Sequence, residues 1–102
     1  MFRLVFSGNN YNLVKNNATK FIETVRYLLE ARSIEVKGIL GPNECSINKI
    51  NDRYRWQVII KDEVMDVKEI KSMLRYICIS KFDQIFDKDI NINIEINPNS
   101  FI

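Results

Sequence analysis

The chain has 102 residues, 46% of them hydrophobic and 27% charged, which is enough for one compact core and too little for two ordinary domains. It contains no histidine, so the commonest general base and the commonest zinc ligand are both missing and most hydrolase schemes fail. The net charge of +2 is unevenly spread: residues 1–61 hold ten Lys/Arg against five Asp/Glu (+5), and residues 62–102 hold five against eight (−3), so an anion-facing surface is expected in the first part.

Phe2 to Phe6 reads as a short strand, ended by the turn-forming run Ser7-Gly8-Asn9-Asn10. Its apolar run Leu4-Val5-Phe6 has neither the core of a signal peptide nor the length of a membrane span, so a cytoplasmic chain with no membrane contact is expected. The pairs Asn9-Asn10 and Asn16-Asn17 fit the asparagine, isoleucine and lysine drift of an AT-rich genome and are assigned no function. From Val14 onward Ala18, Phe21, Ile22, Val25, Leu28 and Leu29 recur at helical spacing, one stripe of an amphipathic helix.

Ile34 to Leu40 alternates weakly and stops at Gly41-Pro42, which predicts a strand there and an irregular crossing over 41–52. Cys45 then falls in a loop and Cys78 in a helix, both as reduced, partly buried thiols, because two cysteines make neither a disulfide framework nor a ligand set. Arg53 to Lys61 is a strand of period two: Tyr54, Trp56, Val58 and Ile60 share one face, and Arg53, Arg55, Gln57, Ile59 and Lys61 share the other.

A second helix is predicted from Asp66, with Asp66 and Glu69 as a capping box and Val67, Ile70, Leu74 and Ile77 as the buried stripe. Asp83, Asp87 and Asp89 follow among turn formers and read as a solvated acidic loop. Ile90, Ile92, Ile94 and Ile96 alternate with Asn91, Asn93, Glu95 and Asn97 in a half-buried strand that stops at Pro98. The order βαββαβ predicts an α+β fold, a split βαβ sandwich with one antiparallel sheet and two helices on a single face, including Phe21, Val25, Leu28, Ile70, Leu74 and Ile77 in its core.

Three glycines, at positions 8, 38 and 41, cannot build a phosphate loop or a dinucleotide fingerprint, so neither an ATPase nor a dinucleotide enzyme is expected within these residues. The strand Arg53-Tyr54-Arg55-Trp56-Gln57 interleaves cations, aromatics and an amide, a chemistry suited to phosphates, carboxylates or stacked bases. Two readings stand side by side: core packing for Tyr54 and Trp56 with Arg53 and Arg55 merely solvated, or a binding face carried by Arg53, Arg55, Gln57 and Lys61. A small regulatory ligand-binding module and a free-standing RNA-binding domain share the topology, although the basic-Gly-aromatic motif of the RNA recognition module is missing.

Leu40-Gly41-Pro42, then Arg53-Tyr54-Arg55-Trp56-Gln57, then Glu95-Ile96-Asn97-Pro98 resemble in order and spacing the C-terminal domain of the PriA replication-restart helicases, over nearly the whole chain. That family has glycine where Asp52 stands and aspartate where Glu95 stands. The resemblance marks Gly41, Pro42, Tyr54, Trp56, Asn97 and Pro98 as structural motif positions and points to Arg53 and Gln57 as partner-binding.

What it implies is a single non-catalytic domain over residues 1–102, a fragment of an ATP-dependent 3′–5′ DNA helicase, at replication forks in the bacterial cytoplasm. Such a domain packs against the helicase lobes, helps bind branched or forked DNA and docks the C-terminal tail of single-stranded-DNA-binding protein. No cofactor is expected here, with ATP and zinc confined to the rest of the parent protein.

Overall fold

The computed structural model describes residues 1–35, 37–50, 53–61 and 66–96, with backbone alone over 46–50. Strand β1 spans Phe2–Gly8, and its even side chains Phe2, Leu4 and Phe6 are all buried in the main hydrophobic cluster. Helix α1, Tyr11–Ala31, starts where the Asn10 side chain accepts from the Leu13 amide at 3.0 Å, satisfying one of the donors that a helix start leaves free. Its buried stripe is Val14, Asn17, Ala18, Phe21, Ile22, Val25 and Leu29. Leu28, expected in the core, sits half-buried at its margin, because the stripe that faces the sheet passes through Leu29.

Two asparagines of the compositional drift therefore have structural work. Asn10 caps α1, and Asn17, fully buried, donates to the Asp87 carboxylate at 2.8 Å and to the Leu13 carbonyl at 2.7 Å while accepting from the Asp87 amide at 3.0 Å. A buried carboxamide is tolerated when its donors and acceptor are matched. Asp87 is thus no freely solvated loop acid: it pins the segment before the last strand to α1.

The second strand lies later than its alternation predicted. Strand β2 covers Ile39–Ile50, so Gly41, Pro42 and Cys45 belong to it and not to an irregular crossing, and Ile34 and Glu35 are not in a strand. Gly41 and Pro42 do not end the strand because β2 is a sheet edge, where a missing amide donor is tolerated, and because the register shifts between Leu40 and Asn43 absorb the irregularity. The Gly41–Pro42 peptide is cis and Gly41 has φ of 109°. A Cβ at Gly41 would come within 2.7 Å of the Gln57 carbonyl oxygen, so both the backbone conformation and the close approach require glycine.

Strand β3, Arg53–Ile60, leads to α2, Val67–Arg75, which runs through a π-helical turn at Tyr76–Ser80 into the short helix α3, Phe82–Ile85, and then to β4, Asn91–Ile96. Helix α2 does begin after Asp66, but the Asp66 side chain makes no capping hydrogen bond, and Val67 is 38% exposed, outside the stripe it was expected to join. Ile70, Met73, Leu74 and Ile77 form that stripe.

The sheet order is β2-β3-β1-β4 with every neighbouring pair antiparallel. Each βαβ crossover thus skips a strand that another unit fills, the split βαβ sandwich. One buried cluster joins Phe2, Leu4 and Phe6 of β1 and Trp56, Val58 and Ile60 of β3 to α1 and to Ile70, Leu74 and Ile77, so both helices cover the same sheet face. Among the described residues no helix is long and apolar enough to cross a membrane.

Candidate functional site

The face of the sheet away from the helices is built by register. Across β3, β1 and β4, Ile59, Arg3 and Glu95 lie in one row; Gln57, Val5 and Asn93 in the next; Arg55, Ser7 and Asn91 in the third. Arg53 continues this face at the start of β3, where its guanidinium reaches the Ser7 carbonyl at 3.3 Å and Asn9 Oδ1 at 3.4 Å. Lys61 follows the end of β3, exposed, its backbone amide bonded to the Gly38 carbonyl. The face thus collects Arg53, Arg55 and Gln57 with Lys61 at its far end, and about 13 Å along the strand separates positions four residues apart.

A fourth cation on this face, Arg3, was not among the residues that the sequence singled out. It is 2% exposed, on the face turned away from α1 and α2. Its Nε donates to Gln57 Oε1 at 2.8 Å, its Nη1 to Glu95 Oε2 at 2.8 Å, and its Nη2 points to Cys45 Sγ at 3.7 Å. A buried guanidinium without such partners would carry a large desolvation penalty, and the ion pair to Glu95 with the amide oxygen of Gln57 offsets it. Val5, Ile59 and Cys45 are also buried but lie outside the main cluster, so a small dry patch surrounds Arg3. The signal that could have found it is parity: Arg3 is the one charged residue of β1 and stands at an odd position, opposite the Phe2, Leu4 and Phe6 face.

Burial pushes the Cys45 thiol up, opposed by the positive charges of Arg55 and Arg3. Cys78, half-buried on the π-helical turn against the main cluster, has no such cations to oppose burial and is pushed up to about 12. Both cysteines are free thiols.

The aromatics of β3 face the other way. Trp56 is buried against Tyr11 of α1, with ring centroids 5.7 Å apart, and Lys15 Nζ lies 5.6 Å from the indole centroid. Tyr54 is half-buried and meets the edge of Tyr11 at 5.6 Å. The Tyr11 hydroxyl donates to the Glu44 carboxylate, and that hydrogen bond raises the Tyr11 pKa. Tyr54 and Trp56 therefore act as packing residues here, on the opposite side from Arg53, Arg55 and Gln57. Asn97 and Pro98 lie outside the described residues. Among the described residues no group of three or more Cys, Asp or Glu side chains is placed to hold a metal ion.

Four antiparallel strands with helices on one side and a cation-bearing sheet face on the other define an α+β sandwich of the split βαβ class, a scaffold that hosts many unrelated functions. The family described as Primosomal protein N C-terminal domain matches residues 1–99, and the chain belongs to that family. No curated protein matches the chain by sequence.

Proposed function

We propose that this primosomal domain serves in the restart of stalled replication forks as a non-catalytic docking and DNA-binding part of a larger helicase, contributing to branched- or forked-DNA binding and holding the acidic C-terminal tail of single-stranded-DNA-binding protein. The single observation that carries this reading is the face of β3 turned away from the helices, where Arg53, Arg55 and Gln57 share one side of the sheet. A guanidinium offers paired donors matched to carboxylates and phosphates, and cations on such a face release counterions when they neutralise a phosphate backbone. Exposed apolar side chains on the helical side, Tyr76 and Ile79 among them, offer a surface for packing against the helicase lobes. ATP and zinc belong, in this reading, to those other parts of the parent protein.

The test belongs in the full-length parent. Arg53→Ala and Gln57→Ala are expected to weaken binding of a labelled acidic tail peptide, read by fluorescence anisotropy, while ATP hydrolysis on naked forked DNA stays close to that of the parent. Parent-like peptide binding by both variants would overturn the reading and leave Arg53 as a solvated surface arginine.

A further inference from the structure

We infer that the outward stripe of α2, formed by Lys68, Lys71 and Arg75, takes the phosphate backbone of a DNA arm, on the opposite side of the sheet from Arg53 and Gln57. The inference rests on the DNA-binding part of the function proposed above.

Charge counted over long blocks hides this stripe. Residues 62–102 are acidic as a whole, at −3, yet Val67–Arg75 holds three cations against the single acid Glu69. That acid is already met by Arg32 of α1 at 3.4 Å. At 3.6 residues per turn, Lys68, Lys71 and Arg75 fall within about 60° of one another, on the side of the helix away from buried Ile70, Met73 and Leu74. All three are exposed, and among the described residues none of them has a carboxylate partner. Like charges three and four residues apart repel along a helix, so the stripe works against α2 unless an anion lies along it.

The kind of anion follows from the spacing. Lys68 and Arg75 are seven residues apart, about 10 Å along the helix, and one strand of duplex DNA places a phosphate about every 3.4 Å along its axis. Three cations in a row therefore meet neighbouring phosphates of a single strand. The rival occupant is an acidic amphipathic helix, because a groove of about 440 Å³ beside the stripe has Leu28, Leu29 and Met73 in its lining and Tyr76 at its wall. Of the three cations only Lys68 lines that groove, and the groove's other cation, Arg32, is paired with Glu69. A partner seated there leaves Lys71 and Arg75 unmet, whereas a backbone lying along the crest of α2 meets all three. Helices and β3 cations lie on opposite sides of the sheet, so DNA on α2 does not compete with a peptide on β3.

The full-length protein is titrated with labelled fork-shaped DNA over a range of salt concentrations. Lys68→Gln, Lys71→Gln and Arg75→Gln together are expected to lower the slope of log K against log salt by roughly two to three, and to weaken binding at the low-salt end by on the order of tenfold. Glutamine keeps the helix propensity, so the melting temperature is expected to hold or rise, and binding of the acidic tail peptide to stay at the parent's value. Should the triple variant fail to melt cooperatively, Lys71→Gln with Arg75→Gln, both away from the groove, decides the matter with an expected fall in slope of roughly two. A parent-like slope in the folded variant overturns the inference. If Arg53→Ala with Arg55→Ala lowers the slope instead, the DNA contact belongs to the other face and the DNA-binding reading stands; if neither set moves it, that reading falls as well. Binding of a Leu/Glu amphipathic helical peptide that the triple variant loses, with the DNA slope unmoved, assigns the stripe to an acidic protein and likewise overturns the inference.

Discussion

Along β1, neighbouring side chains meet opposite environments. Phe2, Leu4 and Phe6 enter the cluster under α1 and α2, whereas Arg3 is just as buried on the opposite face among Gln57, Glu95 and Cys45. Under the helices burial is apolar and non-directional, so shape and volume decide it. On the face turned away from the helices burial is tolerated only because directional partners meet the cation. One side of the sheet makes the domain stable; the other fixes how it presents its polar groups.

The largest effect that separates the two sides is expected at Phe6→Ala, which empties a fully buried position between Phe21 and Phe86 and should cost about 3–5 kcal/mol in chemical denaturation. A loss under about 1 kcal/mol would mean that the covered face is not the source of stability.

A smaller effect is expected on the opposite face, where Arg3→Leu strands the acceptors of Gln57 and Glu95 and should cost about 1–3 kcal/mol. Glu95 is 35% exposed and water shares its charge, so the further change Glu95→Leu should restore much of that loss. A double variant as unstable as the two single losses added would show instead that Arg3 and Glu95 are not coupled, and the contrast between the faces would fail.

The smallest effect is a pH dependence that distinguishes the two thiols. Burial holds Cys78 at about 12 in the folded chain, against an ordinary value of 9.0, so between those values the unfolded chain has released a proton that the folded chain keeps. Stability contributed by the neutral thiol is therefore complete below about 9 and is lost as pH rises toward 12. Cys78→Ala should flatten that part of the stability-versus-pH curve more than Cys45→Ala does, because the burial of Cys45 is opposed by Arg55 and Arg3. Equal flattening by the two variants in chemical denaturation would remove the distinction.

Periodicity alone made the helix α1, the strand β3 and the alternating isoleucines of β4 legible, because each element repeats its own period over many residues. It also separated Arg53, Arg55 and Gln57 from Tyr54 and Trp56, since parity within one strand is a local property. The motif order of Gly41-Pro42 and Arg53-Tyr54-Arg55-Trp56-Gln57 carried the family, which matches residues 1–99. Weak alternation misplaced β2, because an edge strand tolerates a Gly-Pro pair that would end a central one.

What only the tertiary structure decided was which polar groups meet. Arg3 finds Gln57 at a separation of 54 residues and Glu95 at 92, and Asn17 finds Asp87 at 70, each through strand register or helix docking. A sequence specifies that such a residue is polar and which face it occupies; its partner is set by the pairing of distant segments, which exists only once the core has closed.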